Sequence, residues 1–145
     1  MTPSPFPARV SAWRPGLVLA ALFVAPCFVA PYPARAEDGD PALGRAIVQD
    51  RALSACLLCH AGPFPAPHLQ GTIGPRLDGV GARLTREAIR QRLTDPARIN
   101  PDTVMPSYGR TQGLNRVGAA WRGKPILTER QIEDVVAFLA TLRGP

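Results

Sequence analysis

Cys56-Leu57-Leu58-Cys59-His60 constrains this chain more than any other feature. Two cysteines separated by two residues, with a histidine directly after, form the attachment pattern of a c-type haem. The thiols add across the two vinyl groups, whose separation the spacing matches. The histidine then lies under the macrocycle and offers an imidazole nitrogen to the iron. Two other chemistries use Cys-x-x-Cys. A zinc site needs two further ligands, and only Cys27 and His68 remain beyond the motif. A redox dithiol needs no following histidine and usually belongs to a βαβ pattern, which the sequence lacks. The expectation is one covalent haem c, held by Cys56 and Cys59 with His60 on the iron.

Residues 1–36 read as a cleavable export leader. Arg9 and Arg14 open the segment, which carries no acidic residue. An apolar run from Leu17 to Ala30 follows, interrupted by Pro26, and Ala34-Arg35-Ala36 matches an A-x-A cleavage site. The run is shorter than the roughly 20 residues of a membrane span. An uncleaved anchor is the alternative reading, and Pro26 before Cys27 disfavours lipidation. Cleavage predicts a protein beginning at Glu37, with 109 of the 145 residues in one cytochrome c domain, 37–145, and no membrane attachment. Export agrees with the haem motif, because c-type haem is attached outside the cytoplasmic membrane, and the periplasm is the expected compartment. Cys56 and Cys59 are then the only cysteines, so a covalently bound haem takes the place of a disulfide in a domain with a small core.

Without Arg9, Arg14 and Arg35 the 17 basic residues fall to 14 against 11 acidic, a net +3. That balance, with no interleaving of aromatic and basic residues, excludes nucleic acid as an expected partner. Arg76, Arg83, Arg86, Arg90, Arg92 and Arg98 cluster in one third of the chain. They read either as a solvated helix face or as a dock for an acidic partner.

The pattern is helical throughout, with no convincing strand pair. Asp40-Pro41 supplies an N-cap and a proline at the first helical position. The helix it opens should carry Leu43, Ile47 and Val48 on one face, use Gly44 for a close approach, and run to about Leu53. Prolines and glycines make residues 61–75 a loop. A second helix follows Thr85, with Leu84 and Ile89 as a hydrophobic staple, and stops at Asp95-Pro96. Residues 96–127 read as irregular, with one short turn near Leu114–Val117. Thr128 and Gln131 form a capping box for the last helix, whose stripe is Ile132, Val135, Val136, Leu139 and Leu142. Short helices around one haem, the first packed on the last, resemble an all-α class I cytochrome c fold.

The second iron ligand has two candidates. Met105, in Thr103-Val104-Met105-Pro106, sits where a proline loop can hold a thioether rigidly; the alternative is a methionine used as core filler. His68 lies only eight residues after His60, in the proline-rich loop. A His/Met pair fills both axial positions, which suits electron transfer and disfavours substrate binding, so no catalytic residue is assigned. The Pro75 carbonyl is placed to accept the free ring N–H of His60, a plain turn being the other reading. Arg83 is the candidate partner of a haem propionate. Tyr108 and Trp121 are candidates to line the haem.

Three strings go beyond a general cytochrome c: Gly71-x-x-Gly74-Pro75-x-Leu77-x-Gly79-Val80-Gly81, Asn100 to Gly109, and Gly123-Lys124-Pro125-Ile126-Leu127-Thr128 leading into Gln131 to Leu139. Together they resemble the SoxX family, the monohaem cytochrome subunit of the SoxAX complex of bacterial sulfur oxidation. The resemblance implies a SoxA-like cytochrome as heterodimer partner, a SoxYZ-like carrier reached through the complex, and a soluble acceptor cytochrome. In that family the complex, an L-cysteine S-thiosulfotransferase, joins thiosulfate oxidatively to a carrier cysteine. The chemistry is assigned to SoxA, and SoxX takes the electrons. Carried over, Cys56 and Cys59 are the thioether residues and His60 and Met105 the axial ligands. Also open are a free-standing electron shuttle, a cytochrome subunit of another periplasmic dehydrogenase, and a haem sensor or peroxidase.

Overall fold

Asp40 starts the first helix as its composition demands. Its carboxylate accepts the backbone N–H groups of Ala42 at 2.8 Å and Leu43 at 3.3 Å, and Pro41 occupies the first turn of α1, Pro41–Gln49. The computed structural model describes residues 38–144; the expected leader and its cleavage site lie outside them. The helix ends at Gln49, short of the expected Leu53. Asp50 accounts for this: its Oδ1 captures the N–H groups of Ala52 and Leu53, each at 2.9 Å, and turns the chain instead of continuing the helix. Leu43 is also corrected. It is 54% exposed, and the face turned inward is Gly44, Ile47 and Val48.

The haem motif forms a single helical turn, α2, Cys56–Cys59, entered through Ala55 in the left-handed conformation (φ 55°). The proline-rich segment after it is irregular apart from a 3-10 turn at Pro67–Leu69. It is held by Gln70, whose side chain accepts the Gly62 N–H at 2.7 Å and donates to the Phe64 carbonyl at 2.9 Å. A short α3, Val80–Arg83, leads into α4, Arg86–Thr94. Thr85 caps α4 on the Ala88 N–H, Ile89 is buried, Leu84 packs at the core edge, and Asp95-Pro96 ends the helix in a 3-10 turn. The irregular stretch beyond contains its short turn at Ala119–Trp121, not at Leu114–Val117.

The last helix, α5, Glu129–Thr141, has the expected capping box between Thr128 and Gln131. Against it pack α1, α3 and α4. Two glycines set the distances. A Cβ on Gly44 would collide with the Asp134 carbonyl of α5, and one on Gly81 with the Ala140 carbonyl, so α1 and α3 meet α5 backbone to backbone. The stripe Ile132, Val135, Val136 and Leu139 is buried, with Leu142 partly so. The opposite side of the helix is covered as well, because Glu133 and Asp134 are only 4% and 3% exposed. Asp134 accepts the backbone N–H of Asp40 at 2.7 Å and pairs with Arg130 at 3.2 Å; Glu133 pairs with Arg90. Buried carboxylates survive only with such partners. Among the described residues there is no strand, and no helix is long and apolar enough to cross a membrane.

Candidate functional site

The haem motif, the glycine-proline loop, α4 and the methionine loop enclose a cavity of about 810 Å³, within the size range of cofactor sites. Cys56, Cys59, His60, Pro75, Arg83 and Met105 all stand on its wall. The structure thus brings these six candidates together, residues up to 49 positions apart, and Tyr108 with them.

His60 is held from two sides. Its Nδ1 lies 2.6 Å from the Pro75 carbonyl. A carbonyl can only accept, so Nδ1 carries the proton and Nε2 keeps its lone pair for a metal. Gly74 supplies the other restraint: a Cβ there would fall 2.5 Å from Cε1 and 2.7 Å from Nδ1 of the ring. The loop backbone therefore lies flat against the imidazole, which no residue with a side chain permits. The Gly74 N–H also donates to the Cys59 carbonyl at 2.8 Å, and the Gly71 N–H to that of Leu57 at 3.0 Å, which straps the loop onto α2.

Cys56 and Cys59 are half-buried and form no disulfide. Tyr108, three residues beyond Met105, sits 3% exposed with its hydroxyl 3.6 Å from the Cys56 sulfur. That hydroxyl donates to the Ser54 carbonyl at 2.6 Å. Tyr108 also donates its backbone N–H to Leu93 at 2.9 Å. One side chain thus ties the methionine loop to the entrance of the haem motif, and burial pushes its phenol pKa well above the usual tyrosine range. Met105 is partly buried against the core, with its N–H bonded to the Thr103 hydroxyl at 3.2 Å. Ser107 and Arg110 anchor the same loop to Asp95 at the end of α4.

Other residues are placed differently from expectation. His68 lies exposed in the 3-10 turn, off the cavity wall, and Trp121 is 58% exposed and does not line it either. Arg83 reaches the cavity wall, but its guanidinium donates to the Asp78 and Arg76 carbonyls at 2.6 and 3.0 Å. Arg76 and Arg92, expected on a solvated helix face or in a dock for an acidic partner, stand on that wall as well. Of the arginine cluster, Arg76, Arg86 and Arg90 are paired with Asp78, Asp38 and Glu133. Half of the six-arginine cluster is therefore paired within the chain.

The residues fit a haem. Two cysteines, an oriented imidazole and a thioether line one apolar cavity, and Arg76, Arg83 and Arg92 stand on its wall, where a guanidinium can meet a carboxylate. The sequence matches the family model for cytochrome c over residues 41–143. Among solved structures, the crystal structure of SoxXA from P. pantotrophus matches with 38% identity and a TM-score of 0.66, covering 73% of this chain and 83% of that one. The chain belongs to the cytochrome c family and is of the SoxX type. The c-type cytochrome SorU from Sinorhizobium meliloti also matches, at 27% identity and a TM-score of 0.45, with 72% of this chain and 91% of that one covered. No curated protein matches. This SoxX-type chain accordingly has the class I cytochrome c fold and a covalently bound haem c as its cofactor.

Proposed function

We propose that this cytochrome is the electron-accepting subunit of a periplasmic SoxAX-type complex, with Cys56 and Cys59 as the thioether residues and His60 and Met105 as axial ligands. The carrying observation is that His60 and Met105 line the same cavity. With haem bound, His60 and Met105 would both be available to hold the iron, and such ligation would favour electron transfer over substrate binding. When bound, a haem ligated in this way carries one electron at a raised potential. Pro75 fixes the tautomer and orientation of His60, and Arg83 serves a propionate.

The sulfur-oxidation role is supported by the likeness to SoxXA, whose name pairs two subunits. In such a complex, forming one S–S bond between thiosulfate and a carrier cysteine thiolate releases two electrons. This chain takes them singly from a SoxA-like partner and passes them to a soluble cytochrome; the SoxYZ-like carrier is met through the partner. Residues 1–36 are the Sec-type leader for export. The test is purification of the tagged protein from its own periplasm, followed by haem staining of a denaturing gel. A second haem-stained band in stable, roughly equal amount is the expected result. A single small haem band with nothing bound would replace this reading with a free electron shuttle.

A further inference from the structure

Residues 110–126 play no part in the haem cavity. Its wall includes Tyr108 and resumes only at Leu139 in α5. Yet the two ends of the excursion meet, since the Leu127 N–H donates to the Tyr108 carbonyl at 3.1 Å. A few residues would have closed that gap. Irregular loops longer than about 12–15 residues with joined ends are usually functional, and this one contains Gly123-Lys124-Pro125-Ile126, the start of a string that sets the sequence apart from a general cytochrome c.

Its chemistry is one-sided. Between Asp102 and Glu129 there is no acidic residue, while Arg110, Arg116, Arg122 and Lys124 are all present. Arg110 is turned inward to Asp95. The other three are exposed, and no carboxylate among the described residues pairs with them. Trp121, 58% exposed, projects among them, with Leu114 and Ile126 also open to solvent. Arg116 and Arg122 flank a concavity of about 300 Å³ that also takes in Thr111 and Val117. Arg116 holds a left-handed backbone (φ 58°), which costs a residue with a side chain roughly 1–2 kcal/mol. Trp and Arg are the residues that most often anchor interfaces. Three cations fall short of the clusters of about 4–8 typical of anionic-lipid binding, and the loop forms no amphipathic helix.

We propose that residues 110–126 are the seat of the haem-carrying partner subunit, whose facing surface is acidic around an apolar socket for the Trp121 indole. The proposal rests on the two-subunit reading above and adds the surface that makes the joint. Arg116 and Arg122 receive carboxylates, and Trp121 supplies the buried anchor.

The test uses the purified holoprotein and the purified haem-carrying subunit that stays with it in the periplasmic preparation. Trp121→Ala should weaken their association by about 30-fold or more, the hot-spot range. Arg116→Glu with Arg122→Glu should weaken it further and flatten its dependence on salt. Both variants should keep the wild-type haem spectrum and thermal midpoint, because none of these side chains reaches the cavity. Wild-type affinity in both variants overturns the proposal and leaves the two-subunit reading intact. Loss of binding to phosphatidylglycerol vesicles with partner affinity unchanged overturns it in favour of a membrane. If the wild-type chain holds no haem-carrying subunit at all, the two-subunit reading falls and this proposal with it.

Discussion

Replacing Gly44 by alanine sets two effects of opposite sign against each other. Within a helix, alanine is favoured over glycine by about 1 kcal/mol, so α1 considered alone would gain. Gly44 is also where α1 crosses α5. A Cβ there would overlap the Asp134 carbonyl group and lie 2.9 Å from Phe138 Cβ. Neither obstacle is the end of a flexible chain, so α1 must retreat by something on the order of 1 Å. A gap of that size forfeits about a quarter to a half of the dispersion energy across it. Ile47, Val48, Val136 and Phe138 all belong to the core that this contact closes. Overpacking of this kind costs about 1–3 kcal/mol, occasionally more, and the rigid backbone obstacle puts Gly44 at or beyond the upper end. The net expectation is a loss of about 2 kcal/mol, or roughly 8–16 °C in thermal midpoint for a domain of this size. Guanidinium unfolding of the holoprotein measures it, with Gly118→Ala as control, since nothing lies within 4 Å of a Cβ there. A Gly44→Ala protein as stable as wild type, or more so, would refute the backbone contact between α1 and α5.

Gly74→Ala should push the His60 ring off the Pro75 carbonyl, lower the yield of haem-loaded protein and raise its reduction potential, because the hydrogen bond that makes the imidazole a stronger donor is lost; unchanged yield and potential would count against this. Tyr108→Phe leaves the buried Ser54 carbonyl without its donor and should cost about 1–3 kcal/mol. Burial raises the Tyr108 pKa in the folded state, so its contribution is fully present below the ordinary tyrosine value of about 10 and is lost as pH rises through the folded value. Wild-type stability should therefore decline above about pH 10, and the Phe variant, compared over the same range, should lack that part of the decline. Cys56→Ala with Cys59→Ala should abolish haem that survives denaturation; a pigmented band persisting on a denaturing gel would contradict the motif reading.

The features legible in the sequence are those whose causes lie close together in the chain. Asp40-Pro41, Thr85 and the Thr128–Gln131 box act on the next few residues, so the starts of α1, α4 and α5 could be read directly. The site candidates were legible because a haem motif restricts where a ligand and its proline carbonyl stand. What escaped depends on contacts remote in sequence. Glu133 and Asp134 have the look of solvent-facing acids on a stripe-bearing helix, and nothing local announces that Arg90 and the Asp40 N–H will cover them. Gln70 resembles any loop glutamine until its bonds to Gly62 and Phe64 are seen. Leu43 was assigned inward by periodicity alone, but Gly44 takes the contact and turns Leu43 out. Trp121 is a candidate haem-lining or core aromatic by residue type, whereas its loop closes on itself and presents the indole to solvent. Asp50 is a local signal, a side-chain cap that ends α1 four residues before the expected Leu53.

The central claim is that His60 and Met105 ligate one covalent haem from opposite sides. The near-infrared absorption of the oxidised holoprotein, taken for wild type and Met105→Ala, tests it most directly. The wild type should show the weak Met–Fe band; the variant should keep its covalent haem, lose the band, bind carbon monoxide when reduced and have a lower potential. A variant whose spectrum matches wild type would remove Met105 from the iron and with it the relay built on a filled coordination site.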